Sequence, residues 1–355
     1  MKKIYVLISA HPSPLLVNMV NSLLGKRAAV FINNEKDLPD LKNSYVVFAC
    51  ELNMAGICDT ITSMISSLRQ KDGNTLEGSR GAVLVHSSTQ LYTKSFAQWV
   101  ILNSNLEGCC FAAHPIAEAT GKLDNYLTWQ KTIYMSLEDI CIVRCLSLGE
   151  RLFKPFKIEC SDNKPRILAL HASERKTSNT LLLWNLVKNN LKSCSIQELH
   201  VENGSIIDCK GCSFTTCIHF SNQHRCFYGG AMVEDIYPAI ESANAIIWIC
   251  PNYNDALSAN LTAVINRLTA LYRKVSFYNK AIYAVIVSGN SGGDTVARQL
   301  MGSLVINKGF CLPPSFALYA TANDPFSVLK VSGIEDKAYD FACSIESFML
   351  NKKEI

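Results

Sequence analysis

Four cysteines within eighteen residues form the densest group of metal-binding side chains in this 355-residue chain: Cys209, Cys212, Cys217 and Cys226. Their spacing is Cys-x2-Cys-x4-Cys-x8-Cys. Four thiolates on one short segment are the usual ligands of a 4Fe–4S cluster. Zinc is an alternative, bound by the same cysteines or with His219 or His224 replacing one of them. A third interpretation is a mobile loop that binds no metal. We interpret His219 and His224 themselves as ordinary polar loop residues.

The bulk composition narrows the functional class. The chain has fifteen cysteines, an odd and scattered set with no export signal before it, which favours a reducing cytoplasm over a disulfide framework. The net charge of +4 is spread along the chain without a basic block, which argues against nucleic-acid binding. We find no apolar run of about eighteen residues, so we expect no membrane span.

Strand-like and helix-like segments alternate along the chain. Lys3–Ala10 has the apolar composition of a strand, and Leu15–Leu24 has helical spacing of its apolar residues. Tyr45–Cys50 is a second buried strand, followed by an amphipathic helix over Thr60–Arg69. Such alternation predicts an α/β fold with a parallel sheet covered by helices on both faces.

The second half of the chain repeats the order of the first. Ala245–Cys250 corresponds to the strand at Tyr45–Cys50 at an offset of 200, and the helices that follow keep this offset. We therefore predict two tandem doubly wound domains, residues 1–155 and 160–355. The cysteine segment is an insertion, residues 203–230, in the second domain alone.

Three loops at predicted strand ends of the second half carry the remaining candidates. Ala172–Thr180 offers hydroxyls, an arginine and a helix N-terminus, which suit a phosphate monoester, although simple capping of the helix explains it equally well. Cys250–Asp255 presents Tyr253, which could stack on a planar ring or pack over the sheet end. Ser288–Asp294 holds three glycines, a composition typical of close backbone approach.

Together these loops resemble the flavodoxin-like NAD(P)H-dependent FMN reductases, and among them the iron–sulfur flavoproteins, over roughly residues 164–320. Ser, Arg, Asn and Thr of that family's first loop are present, although its glycines and proline are replaced. Its Pro-x-Tyr appears as Pro251-Asn-Tyr253, its Ile-Asp-Arg as Ile265-Asn266-Arg267, and its Cys-x-Gly-Cys begins at Cys209. The family has a tighter spacing between its second and third cysteines.

The resemblance implies two flavodoxin-like domains, with FMN in the second. It implies phosphate contacts from one group of residues: Ser173, Arg175, Ser178, Asn179 and Thr180. It implies ring and ribityl contacts from another: Pro251, Asn252, Tyr253, Asn254, Ser288, Gly289, Asn290, Gly292 and Gly293. We name no catalytic acid or base, because the flavin carries the chemistry in such reactions.

The corresponding loops of the first half differ. His11–Pro14 contains two prolines that remove N–H donors, and Glu51 would repel a phosphate. We predict a degenerate copy that binds no cofactor and that occupies a partner's place in an intramolecular pseudo-dimer, which could itself form a homodimer.

We therefore expect a cytoplasmic FMN-dependent oxidoreductase that takes hydride from NAD(P)H and passes electrons to a cluster, a quinone or another small or protein acceptor. A flavin and iron–sulfur electron carrier that does not use NAD(P)H is the alternative. A metal-stabilised binding protein is a weaker third possibility.

Overall fold

The computed structural model describes residues 2–71, 73–155, 164–173 and 176–350. Spatial contacts divide the chain into two units, residues 1–156 with 313–315, and residues 157–312 with 316–354. The predicted boundary between the domains falls among residues 156–163, which lie outside the described residues.

The first domain contains a five-stranded sheet in which every pairing is parallel, in the order β2-β1-β3-β4-β5. Its strands are β1 (Ile4–Ile8), β2 (Val30–Ile32), β3 (Tyr45–Leu52), β4 (Arg80–Ser87) and β5 (Cys110–Thr120). Its helices are α1 (Pro14–Leu24), α2 (Asp59–Arg69), α3 (Thr93–Leu106), α4 (Leu127–Ile133) and α5 (Leu137–Phe153).

The second domain repeats this arrangement with a parallel sheet in the order β10-β9-β8-β6-β7. Its strands are β6 (Arg166–His171), β7 (Ser195–His200), β8 (Ala245–Pro251), β9 (Ala281–Ser288) and β10 (Ala317–Thr321). Its helices are α6 (Asn179–Asn190), α7 (Phe214–Ser221), α8 (Tyr237–Ser242), α9 (Ala259–Tyr272), α10 (Gly293–Leu300) and α11 (Ile334–Met349). Two π-helical turns adjoin α8 and α10, at Met232–Ile236 and Met301–Ile306.

Burial follows the sequence pattern. Every residue of β9 is buried, and β8 is buried up to Cys250, as expected for central parallel strands covered on both faces. The edge strand β7 is instead mostly exposed or half-buried. Serine side chains cap the N-termini of helices in both domains and set where the helices begin. These serines are Ser13, Ser136, Ser178, Ser213 and Ser258.

Numbered from the start of each domain, both sheets have the strand order 2-1-3-4-5, which is the flavodoxin-like order. The predicted fold class, two tandem flavodoxin-like α/β domains, is therefore confirmed. Among the described residues, no helix combines the length and the apolar character needed to cross a membrane.

Candidate functional site

The candidate site lies at the carboxyl ends of the strands in the second sheet. The order of the strands reverses between β6 and β8, which are hydrogen-bonded neighbours. Ligands of open α/β sheets bind in the crevice beyond such a reversal. The loops that follow β6, β8 and β9 are the three loops that the sequence singles out, so one edge of one sheet carries all of them.

The first loop leads from β6 into α6. Ser178 precedes the helix; its hydroxyl accepts the N–H of Leu181 at 3.4 Å and donates to Ser173 Oγ at 3.3 Å. The first N–H groups of a helix have no partner within it and, with the helix dipole, attract anions. Ser178 thus caps the helix and also joins Ser173 to a helix end suited to a phosphate. Arg175, which the sequence assigns to the same phosphate, lies outside the described residues.

Asn179 and Thr180 have roles that the sequence does not reveal. The amide nitrogen of Asn179 donates to the carbonyls of Ala322 and Asp324 at 3.3 and 2.8 Å, and its oxygen accepts the N–H of Val328 at 3.2 Å. The side chain therefore ties the first loop to the segment after β10, and its predicted contact with the cofactor phosphate stays a prediction. Thr180 is only 2% exposed, so its side chain belongs to the interior.

The second loop is a tight turn after Pro251, the last residue of β8. Tyr253 and Ala256 exchange backbone hydrogen bonds, at 3.2 and 3.1 Å, across Asn254 and Asp255. Both central residues have positive φ, 53° and 57°, which asparagine and aspartate tolerate better than most residues. The turn leaves Tyr253 56% exposed, which favours an aromatic face available for stacking over one packed on the sheet end.

Asn252 joins the second loop to the third. Its amide nitrogen lies 3.1 Å from Ser288 Oγ, 2.9 Å from the carbonyl oxygen of Ser291 and 3.2 Å from Asp255 Oδ1. Its side-chain oxygen is buried and has no hydrogen-bond partner within the described residues. A buried acceptor without a donor is costly, so a donor from a bound molecule would stabilise this side chain.

The glycines of the third loop let neighbouring protein groups pack closely against its backbone. A Cβ on Gly292, whose φ is +86°, would lie 1.9 Å from Asp255 Oδ1. A Cβ on Gly293 would lie 3.1 Å from the ring of Tyr319. Ser288 is buried at the strand end, whereas Gly289 and Asn290 are exposed, and the Asn290 side chain accepts the N–H of Ser291 at 2.6 Å. Close approach of two loops therefore explains Gly292.

The segment after β10 is a component that the sequence did not indicate. The N–H of Ala322 donates to the Ser288 carbonyl at 2.9 Å, and a Cβ on Gly289 would lie 3.0 Å from Asn323 Oδ1. With the contacts of Asn179, residues 322–324 thus connect the first loop to the third. The only sequence signal was the turn composition Asn323-Asp324-Pro325 directly after a strand.

These features fit FMN. A helix N-terminus with two serine hydroxyls suits its phosphate, and the unpartnered Asn252 oxygen suits a ring N–H. The exposed Tyr253 ring offers an aromatic face on which a planar ring system could stack. We assign no atomic contacts to the cofactor.

The four cysteines of the insertion share one neighbourhood. Cys209 is exposed, and Cys212, Cys217 and Cys226 are half-buried. A hydrogen bond with Cys212, burial, and the charges of Cys226 and Cys209 raise the pKa of Tyr228. Burial first, and then charges that include those of Cys226, Cys217 and Cys209, raise the pKa of Tyr237. Within the described residues, however, no three His, Cys, Asp or Glu side chains form a metal-binding group.

Helix α9 holds both ends of this insertion. Arg267, 3% exposed, donates to the carbonyls of Ile207 at 3.4 Å and Gly229 at 2.8 Å. Asn266 donates to Asp208 Oδ1 at 2.9 Å, and Ser221 donates to the carbonyl of Ala270. The Asn-Arg pair of the family-like motif therefore anchors the cysteine segment. The histidines have other partners: His219 lies 3.5 Å from Gln223, and His224 pairs with Glu241 at 2.7 Å.

In the first domain, the carboxyl edge of the sheet holds the carboxylate of Glu51, which is hydrogen-bonded to other residues of this domain. Glu51 Oε2 accepts the N–H of Ser13, the residue that caps α1, at 3.0 Å. His86 Nδ1 lies 2.5 Å from Glu51 Oε1 and 3.0 Å from Ser13 Oγ. Burial disfavours the charge of Glu51, but hydrogen bonds from His86 and Ser13 outweigh it and lower the pKa of this carboxyl. A carboxylate at this helix end gives a physical reason for the prediction that the first domain binds no flavin, which stays a prediction.

Comparisons with known proteins agree with this geometry. Residues 165–324 match the sequence model of the family described as NADPH-dependent FMN reductase. A comparison with curated protein sequences found no match.

Solved structures similar to the chain include RosB, determined with a bound formylriboflavin phosphate intermediate (14% identity, 54% of this chain and 82% of that chain, TM-score 0.41). An azoreductase from Bacillus anthracis is 12% identical over 53% of this chain and 100% of that chain, with a TM-score of 0.37. An NAD(P)H:quinone oxidoreductase from Methanothermobacter marburgensis is 11% identical over 52% of this chain and 96% of that chain, with a TM-score of 0.40. Sequence identities and TM-scores this low carry no information about activity. The family match covers all three loops, so the second domain of this chain is FMN reductase-like over residues 165–324.

Proposed function

We propose that the second domain binds one FMN at the carboxyl edge of its sheet and uses it to oxidise NADPH or NADH. The single observation that carries this proposal is Asn252, which joins two of the loops and keeps a buried oxygen that no described residue supplies with a donor. The family match over residues 165–324 supports the same assignment.

Bound FMN would supply the redox chemistry, by accepting hydride from a nicotinamide and passing electrons to an acceptor. The protein contributes position and electrostatics. The N-terminus of α6, with Ser173 and Ser178, holds the negatively charged end of the cofactor. Asn252 fixes the distance between the second and third loops, and Tyr253 offers an exposed aromatic face. We assign no acid–base role to any side chain.

The electron acceptor is proposed as a class, a quinone or another small or protein oxidant, because the exposed ring of Tyr253 offers an aromatic face to a planar molecule. The insertion is proposed as the place of a 4Fe–4S cluster on Cys209, Cys212, Cys217 and Cys226, with zinc as the alternative. The chemistry of four thiols and their common neighbourhood support this. The thiols as described do not form a metal-binding group, so no electron-transfer step is routed through them.

The test is anaerobic reduction of the FMN-loaded full chain by NADPH and by NADH, followed at the flavin absorbance near 450 nm. The proposal expects bleaching by at least one nicotinamide within a turnover time typical of enzymes. If chemical reductants bleach the flavin but both nicotinamides fail, the carrier interpretation replaces this proposal. Iron, sulfide and zinc analysis of the same preparation decides separately what the insertion holds.

A further inference from the structure

Three basic side chains lie over aromatic rings where the cysteine segment packs against the C-terminal part of α9. Each cation has its own ring, at these distances from the ring centroid: Lys210 on Tyr228 at 5.3 Å, Arg273 on Phe214 at 4.7 Å and Lys308 on Tyr272 at 5.7 Å. Contacts of this length are attractive and restrict the movement of the cations. We call these three cations and their three rings the basic face.

The cations of the basic face are close together, although they are far apart in the sequence. Lys308 lies on the ring of Tyr272, which immediately precedes Arg273. Burial and then the charge of Arg273 lower the pKa of Lys308, and the charge of Cys209, next to Lys210 in the sequence, raises it to a smaller extent. Among the described residues, none of the three cations forms an ion pair with a carboxylate.

The carboxylates around the basic face do not neutralise it. Asp208 is the only acidic residue of the insertion, and its carboxylate already accepts the N–H of Cys209 at 2.7 Å and the amide of Asn266 at 2.9 Å. Glu234 and Asp235 are exposed on the π-helical turn that follows the insertion, and in the described part of the chain neither pairs with a cation of the face. The face therefore presents positive charge to the solvent.

The basic face lies away from the proposed flavin site. Helix α9 begins at the carboxyl edge of the sheet, where the Asn260 side chain donates to the carbonyl of Val201 at 3.0 Å. Its 14 residues span about 21 Å before Arg273 follows. Substitutions in the face therefore remove no contact that the flavin site uses.

The composition of the face favours a protein over a nucleic acid or a second copy of this chain. Ile207, Phe214 and Phe227 are 54%, 65% and 58% exposed, and aromatic side chains beside arginine are typical of protein interfaces. Nucleic-acid bases need free ring faces for stacking, but a cation covers one face of each ring in the basic face. A second copy brings a net charge of +4 against the same charge.

We propose that the basic face docks a protein with an acidic surface. Carboxylates of the partner pair with the three cations, and its apolar side chains cover Ile207 and Phe227. Attraction between opposite charges speeds association and fixes its orientation, and added salt weakens it. This interface is separate from the nicotinamide–flavin reaction, so neither assignment depends on the other.

The test uses the full chain and a fluorescein-labelled random copolymer of glutamate and tyrosine, with binding followed by fluorescence anisotropy. The face variant replaces all three cations of the basic face by glutamine. It should bind the copolymer about 3- to 150-fold more weakly than the wild type, because three exposed ion pairs are lost. The matched control removes the same charge from exposed positions of the first domain and should bind as the wild type does; it carries Lys26→Gln, Lys36→Gln and Lys42→Gln.

Two further measurements define the occupant. Phe227→Ala removes exposed apolar surface and no charge, and it should weaken copolymer binding about 3-fold or more. Labelled oligothymidylate should bind the wild type more weakly than the copolymer does. If circular dichroism shows that the face variant does not fold, the exposed single change Lys210→Gln replaces it, with Lys26→Gln as its control.

Four results would overturn the proposal. They are no binding of the copolymer, an equal loss of affinity in the face and control variants, unchanged affinity in Phe227→Ala, and tighter binding of oligothymidylate than of the copolymer. The last result would assign the basic face to a nucleic acid.

Discussion

Replacement of Gly292 by alanine tests how closely the second and third loops approach. The new Cβ would lie 1.9 Å from Asp255 Oδ1, 2.8 Å from Asp255 Cγ and 3.0 Å from Asn252 Nδ2. Carbon contacts normally begin near about 3.5 Å, so the carboxylate must move by more than about 1 Å. That movement breaks the hydrogen bond between Asp255 and Asn252 within the second loop and so disturbs Asn252, whose bonds to Ser288 and Ser291 join the two loops.

The expected loss of stability has two causes, and the same substitution at a second glycine, Gly204, distinguishes them. Alanine at positive φ costs roughly 1–2 kcal/mol, both at Gly292 and at Gly204, where φ is +80° and a Cβ would meet nothing within 4 Å. Overpacking adds about 1–3 kcal/mol at Gly292 alone, which corresponds to about a 5- to 150-fold loss of FMN affinity if the loops shift apart.

FMN titration of both full-length variants, followed by quenching of flavin fluorescence, measures the affinity, and urea unfolding measures the stability that each variant loses. We expect both variants to lose stability, Gly292→Ala by the larger amount, and Gly204→Ala to retain wild-type affinity for FMN. Equal FMN affinity in the two variants would refute the reasoning about the loops.

Three further outcomes are expected. Asn252→Ala should weaken FMN binding about 10-fold or more, because the amide hydrogen bonds between the loops are lost. The control Asn190→Ala removes one hydrogen bond within α6 and should leave FMN binding unchanged in the same titration. Glu51 has a lowered folded-state pKa, so its stabilising contribution is present above its unfolded pKa of about 4.3 and is lost as pH falls through the folded value. Urea unfolding should therefore lose more stability between pH 6 and pH 3 in the wild type than in Glu51→Gln, and equal losses would contradict this role. Arg267→Ala should speed trypsin cleavage within residues 203–230 several-fold, while the exposed control Lys337→Ala in α11 should not, as gel analysis of a time course would show.

The strands and the loop positions could be predicted because their signals are local. The continuous apolar run of β8 and the helical spacing of α9 specify buried elements by themselves, and parallel strands bring their carboxyl ends to one edge. The predicted Ala245–Cys250 differs from β8 by one residue. Strand β5 extends to Thr120 past a register shift opposite β4, an irregularity that no local sequence signal indicates.

The contacts that assemble the site could not be predicted, because they join residues far apart in sequence. Asn179 matches a family motif, yet its amide binds a segment about 145 residues away. Arg267 also matches a motif, and its partners are the carbonyls at both ends of the insertion. Helix α7, whose N-terminus Ser213 caps, lies inside the cysteine segment and was not predicted, because the spacing of the cysteines suggested a ligand-binding loop.

Equilibrium titration of the apo full chain with FMN and with riboflavin tests the central claim most directly. The account predicts one FMN bound per chain, and weaker binding of riboflavin because it lacks the phosphate that the N-terminus of α6 would hold. Failure to bind FMN, or equal affinity for the two flavins, would contradict the assignment of this edge as a flavin phosphate site.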